Sequence, residues 1–254
     1  SGVTKIVGGG QLLLSGSDNK RIFEGANASG GRAIENAGLV TMNGTGGLLF
    51  GDGAAFNNQA GGNFDLRSDA GIGSTGTGNK GAFTNSGTLH KSAGNGVSSI
   101  AGVHFTNNST VWAQAGTLSF DDAVTNNGGT FQASPGAAIS FNGNNARAFG
   151  ANSRFVGGGA HAINAGANAF GGDFTAQNLT FNGGTLTGPA TLHGSLAWTG
   201  GDWVGGATFT VASDAVLTID GPGTKRLYQG SATSGGRVLA NEGSIILQGA
   251  GQLQ

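Results

Sequence analysis

Apolar and polar residues alternate along this chain in very short bursts, such as Leu12-Leu13-Leu14, Leu118-Ser119-Phe120, Ile139-Ser140-Phe141, Leu196-Ala197-Trp198, Phe209-Thr210-Val211 and Leu217-Thr218-Ile219. A period of two places every second side chain on one face of a β-strand. Each burst is bounded by Gly, Asn, Ser or Asp. These residues turn a chain at little cost, Gly by taking positive φ and Asn by bonding its own backbone. No stretch carries apolar residues at helical spacing over ten positions with caps, so the pattern predicts strands and almost no helix.

A motif of the form apolar-x-Asn-x-Gly-x-apolar recurs among these bursts. It reads Ile34-Glu35-Asn36-Ala37-Gly38-Leu39-Val40, then Phe83-Thr84-Asn85-Ser86-Gly87-Thr88-Leu89, then Leu239-Ala240-Asn241-Glu242-Gly243-Ser244-Ile245, with looser copies around Asn58, Asn107 and Asn126. A period of about 22 residues is the size of one turn of a parallel β-helix. The fold class expected is therefore all-β, a continuous parallel β-solenoid over residues 1–254 with coils of about 20–25 residues. Stacked coils pair each strand with the one above and below at about 4.8 Å. Like residues then stack on like. Phe56, Phe64, Phe83, Phe105, Phe120, Phe131 and Phe141 are the candidate core column, and Asn36, Asn58, Asn85, Asn107, Asn126 and Asn241 the candidate ladder of side-chain amides.

A second, longer period is present. Lys20-Arg21-Ile22-Phe23-Glu24-Gly25 and Ser29-Gly30-Gly31-Arg32 return, 205 residues later and without a gap, as Lys225-Arg226-Leu227-Tyr228-Gln229-Gly230 and Ser234-Gly235-Gly236-Arg237. Residues 206–254 thus repeat residues 1–49. At the expected rise, one such unit is about 45 Å long. Open ends of a solenoid leave strands unpaired, which predicts continuation into further repeats or stacking on copies of itself. Ser1, where a complete chain has Met, is expected of a piece from a longer polypeptide.

Composition narrows the class. Gly numbers 53 of 254 residues but follows no three-residue period, and there are 3 Pro, which excludes collagen. Apolar residues reach 37%, enough for a core and against disorder. Charged residues are 10% and the net charge is -1, so nothing draws the chain to nucleic acid, and no apolar run is long enough to insert in a membrane. There is no Cys, as in exported proteins that do without disulfides.

The segments Phe83-Thr-Asn-Ser-Gly-Thr-Leu89, Leu179-Thr-Phe-Asn-Gly-Gly-Thr-Leu-Thr-Gly188 and Leu196-Ala-Trp-Thr-Gly-Gly-Asp-Trp203 resemble giant repetitive bacterial surface proteins of the filamentous-haemagglutinin and autotransporter-passenger type. That resemblance implies a right-handed β-helix, export to the cell surface, and a part in adhesion, matrix or filament formation. It carries over no catalytic residue.

Candidate chemistry is sparse. β-Helical polysaccharide-degrading enzymes need carboxylates clustered over several coils. The one adjacent acidic pair is Asp121-Asp122, read as a solvated turn. His90, His104, His161 and His193 lack zinc-site spacing and are read as isolated surface residues. No cofactor or metal is expected, nor enzymatic activity. Trp198 shares parity with Leu196 and is assigned to the core, whereas Trp112 and Trp203 are candidates for an exposed, sugar-stacking surface. The clustered charges Lys20, Arg21 and Arg32, with their copies Lys225, Arg226 and Arg237, are expected either to pair with Glu24, Glu35 or Asp18 or to contact a neighbouring coil or subunit. The function expected is a stiff structural module of an extracellular adhesin or filament, with glycans or other cell surfaces as candidate ligands.

Overall fold

The computed structural model describes residues 2–23, 31–76, 78–229 and 237–254. They form strands, turns and bends, with no helix. Every strand pairing is parallel, and partners lie one turn of the chain apart. The chain is therefore a parallel β-solenoid.

Three strand positions recur in each turn. The first face is an 11-stranded sheet that takes one strand from each successive rung. Its strands include Val3–Ile6, Ala33–Asn36, Ala55–Asn58, Gly81–Asn85, Val103–Asn107 and Val124–Asn126. The second and third faces make up a 20-stranded sheet. They merge because two long strands, Gly172–Phe181 and Ala190–Trp198, run from the second face to the third without a break. Their pairing shifts register between Ala176 and Leu179, where Asn178 takes φ 53°.

Rung length varies from 17 residues, Thr185 to Asp202, to 30 residues, Val3 to Ala33. The strands keep register regardless. All the excess is accommodated between strands, where Gly and Asn tolerate the turns.

The core is filled by two inward columns per face, as Phe64 with Leu66 and Leu118 with Phe120 show. Phe56, Phe83 and Phe105 stack on the first face, Phe64, Phe131 and Phe155 belong to the second, and Phe120 and Phe141 to the third. The Phe series expected to form one column is thus divided among three. The reason is that each rung delivers an inward side chain from each of its three strands. Rings of one face lie nearly parallel in Phe56 on Phe83 (4.9 Å, 18°) and Phe131 on Phe155 (5.6 Å, 15°), and tilt further in Phe83 on Phe105 (36°). Several rings of different faces meet edge to face, as in Phe131 and Phe141 (5.0 Å, 89°); stacked and edge-to-face arrangements are both ones that the ring quadrupole favours.

Candidate functional site

The interior polar system is the most organised chemistry in the molecule. Asn36, Asn58, Asn85, Asn107 and Asn126 end consecutive first-face strands and are fully buried. Their sequence spacings of 22, 27, 22 and 19 residues equal the register of the strands that carry them. Each Nδ2 donates to the Oδ1 of the next Asn, at 2.8, 2.8, 2.9 and 2.8 Å. The second Nδ2 proton goes to a backbone carbonyl, Asn63 O for Asn36, Thr88 O for Asn58 and Thr110 O for Asn85. Asn126 closes the ladder on Ser153 Oγ at 2.8 Å. Buried amides are thereby satisfied without water.

The Gly of the motif follows from the same corner. A Cβ on Gly87 would stand 2.2 Å from the carbonyl oxygen of Gly62 in the rung below, and one on Gly62 would stand 2.2 Å from that of Asn36. At these two rungs the corner stacks too closely for a side chain, whereas in the next rung Ser109 takes the equivalent place.

Asn241 does not join this ladder. It is exposed on the strand Val238–Asn241, which pairs with Thr208–Val211 on the second face, and its Oδ1 accepts only from the nearby Gly243 N–H at 3.2 Å. Its local sequence matches the other members, but its face does not.

A second ladder lies on the outside of the third-face corner and was not anticipated. Asn164 Nδ2 donates to Asn142 Oδ1 and Asn182 Nδ2 to Asn164 Oδ1, both at 2.7 Å, while Asn142 Nδ2 reaches Ser119 Oγ at 2.8 Å. Its sequence signal is an Asn directly after the inward aromatic or aliphatic residue, in Phe141-Asn142, Ile163-Asn164 and Phe181-Asn182.

Buried cations sit at other corners, held by carbonyl oxygens. Lys91 Nζ donates to Ser68 O (2.8 Å), Ala93 O (3.0 Å), Ser98 Oγ (3.1 Å) and Asp69 Oδ1 (2.8 Å). The hydrogen bond from Lys91 holds the Asp69 carboxyl below its ordinary range. Arg147 takes the inward position between Val124 and Asn168 and donates to Ala165 O (2.8 Å) and Gly143 O (3.1 Å). Burial lowers its affinity for a proton, opposed by Asp121 and Asp122.

Comparison with protein-family models, with curated proteins and with solved structures gives no match.

The six clustered charges divide by position. Lys20 is half-buried and donates to Asp18 O within its own turn, whereas its copy Lys225 is buried and donates to Gly221 O (2.8 Å) and Gly223 O (2.9 Å). Arg21 and Arg226 are exposed, Arg226 standing 3.8 Å from Asp202. Arg32 is exposed with its guanidinium over Gly2, while Arg237 is buried and donates to Val204 O and Gly188 O, both at 3.1 Å. Glu35 pairs with Lys5 at 3.4 Å; Glu24 lies outside the described residues.

Three expectations about single residues are corrected. Trp203 is fully buried and stacks on Trp198 with centroids 4.3 Å apart and planes 11° from parallel. Its strand, Asp202–Val204, registers Trp203 with inward Leu186 and Leu227, which fixes it in the core. His161 is buried between Ile139 and Leu179, with Nδ1 3.2 Å from Gln177 O and Nε2 3.2 Å from Phe131 O. Burial lowers its pKa, against the opposing effect of the two carbonyls. Asp122 is not a solvated turn residue. Although burial acts to raise its pKa, the bidentate Lys80 (2.9 and 2.8 Å) and the N–H groups of Ala123 and Gly102 hold it below its ordinary value.

Trp112 faces outward, half-buried, with Nε1 donating to Ser134 Oγ at 3.1 Å. It stands in register with Asp65, His90 and Gln132 on the second face.

Proposed function

We propose that this chain is a structural module of an extracellular bacterial adhesin or filament, contributing length and stiffness through tandem or end-to-end stacking of β-solenoid units, and that it has no catalytic role. The observation that carries this reading is the use of one 49-residue segment twice, 205 residues apart, within a single uninterrupted stack. A solenoid depends on contacts between neighbouring turns, so it lengthens without redesign. Low charge and the absence of Cys suit an object that is exported and works outside the cell. The interior ladder and the corner cations serve this role, because they fix register along the axis.

The test is where the protein resides and what shape it has. Antibody against the chain should label intact cells of its source, and electron microscopy of the shed material should show thin rods. Purely cytosolic protein, or globular particles, would reject the proposal.

A second reading, a glycan-binding face, is favoured by one observation: His90, Trp112 and Gln132 form an outward, half-buried row of aromatic and hydrogen-bonding groups at strand spacing, with Asp65 buried beside His90. Such a row matches the alternating apolar and polar surfaces of a saccharide. Glycan-array binding that is lost in Trp112→Ala would support it, and an array without signal would remove it.

A further inference from the structure

The two copies of the 49-residue segment do not occupy the same faces. Val3–Ile6 lies on the first face, but its copy Thr208–Val211 pairs with Ala190–Leu192 on the second. Gln11–Leu14 is on the second face, and its copy Val216–Ile219 on the third. Lys20–Ile22 is on the third, and its copy around Arg226–Tyr228 on the first. Ala33–Asn36 and Leu39–Met42 move in the same sense to Val238–Asn241 and Ser244–Leu247. The 205-residue unit therefore spans nine full turns and one further face.

The copies also differ in what lies beneath them. Thr208–Val211, Val216–Ile219 and Arg226–Tyr228 rest on Ala190–Trp198 and Asp202–Val204. Their originals form the first rung, with no strand beneath among the described residues: the inward Thr4 is exposed and Leu12 and Leu14 are half-buried, where the copies Phe209, Leu217 and Ile219 are buried. Arg237 reports the same difference. Its guanidinium is bound to Val204 O and Gly188 O, in the two preceding rungs, whereas the equivalent Arg32 is exposed.

We propose that the exposed first rung, with Arg32 at its corner, is the docking surface for residues 185–204 of a preceding copy of this unit, taken up one face out of phase. The registers follow by subtracting 205 from those seen within the chain. Lys5 meets Thr191, Leu12 meets Leu196, Ile22 meets Trp203, and Arg32 binds the carbonyls of Val204 and Gly188. Each unit advances the rod by about 45 Å and turns it by about a third of a revolution. Any outward feature of a unit, such as the Trp112 row, returns to its starting face at every third unit. The rod thus offers the same surface on all sides.

This inference rests on the stacked-module reading, and a two-unit protein separates the two. Residues 1–205 are placed ahead of the full chain, and Lys5→Cys of the second unit is paired with either Thr191→Cys or, for the in-phase register of the first face, Val204→Cys of the first. The protein has no native Cys to interfere. Thr191→Cys with Thr210→Cys in the single chain is the reference, because those residues are in register and outward. The expected result is an oxidised cross-link from Thr191→Cys to Lys5→Cys in a rod lengthened by about 45 Å. A cross-link from Val204→Cys instead, in a rod of the same length, overturns the phase shift and leaves the stacked module standing. Two units scattering as separate particles with neither cross-link overturn both.

Arg32→Ala supplies an independent readout. It should leave the denaturation midpoint of the single chain unchanged, and in the second unit of the two-unit protein lower it as Arg237→Ala does in the single chain. No effect in either protein rejects the role of Arg32.

Discussion

Replacing Asn85 by Ala tests whether the interior ladder holds the solenoid together. Asn85 is fully buried, accepts from Asn58 Nδ2 at 2.8 Å, and donates to Asn107 Oδ1 and Thr110 O, both at 2.9 Å. A net loss of about 1 kcal/mol for each of three hydrogen bonds gives about 3 kcal/mol. The Asn58 amide proton left facing a methyl group adds its desolvation penalty of about 1–2 kcal/mol. The expected loss is therefore about 4–5 kcal/mol, read as a fall in the urea midpoint at unchanged slope. Asn108→Ala is the control, since its bonds to Ser86 and Asn127 are exposed, and it should cost less than about 0.5 kcal/mol. Asn85→Asp keeps the shape but removes both donated protons, and should be at least as damaging as Ala. If Asn85→Ala cost no more than Asn108→Ala, the ladder would be a by-product of register and not a source of stability.

Three further outcomes are expected. Gly87→Ala puts a methyl group 2.2 Å from Gly62 O, so it should destabilise by more than Asn85→Ala or prevent folding, whereas Ala at Gly223, where a Cβ meets nothing within 4 Å, should be tolerated; thermal melts by circular dichroism compare them. His161 has a lowered pKa, so the unfolded chain takes up its proton first as pH falls; stability should decline from about pH 6.5 down to the folded pKa and level off below it, and His161→Leu should abolish that component of the urea midpoint measured across pH. Trp203→Ala should cost about 3–5 kcal/mol and lose the exciton signal of the Trp198 pair in far-ultraviolet circular dichroism, where a surface Trp would cost little.

The coil, the parallel stacking and five of the six Asn positions were legible because a solenoid repeats one environment in every rung. Asn36 to Asn126 carry their register in their spacing. What escaped was information that only three-dimensional phase supplies. Asn241 shares the motif of Asn36 but is delivered to another face by nine rungs of unequal length. Trp203 sits in a three-residue strand between Gly pairs, too short for alternation to show which way it points. His161 and Arg147 occupy inward positions in columns that elsewhere hold apolar residues such as Ile139 and Val124, with Asn168 the next polar member beside Arg147. A polar residue is read as exposed unless its partners are known, and here the partners are backbone carbonyls, which leave no mark in the sequence.

The direction of the hydrogen bonds has a mechanical consequence. The backbone bonds between rungs, and the Asn amides where the ladders run, lie along the long axis, so tension applied to the ends loads them one rung at a time and never all in parallel. Such a rod yields by peeling single turns. A turn of about 22 residues, as from Ala33 to Ala55, releases about 70–80 Å of slack when drawn straight, against the few ångströms it occupied. A tether of this design gives way under load in small, repeatable steps and rewinds, because the next intact turn is always the template for the one that was lost.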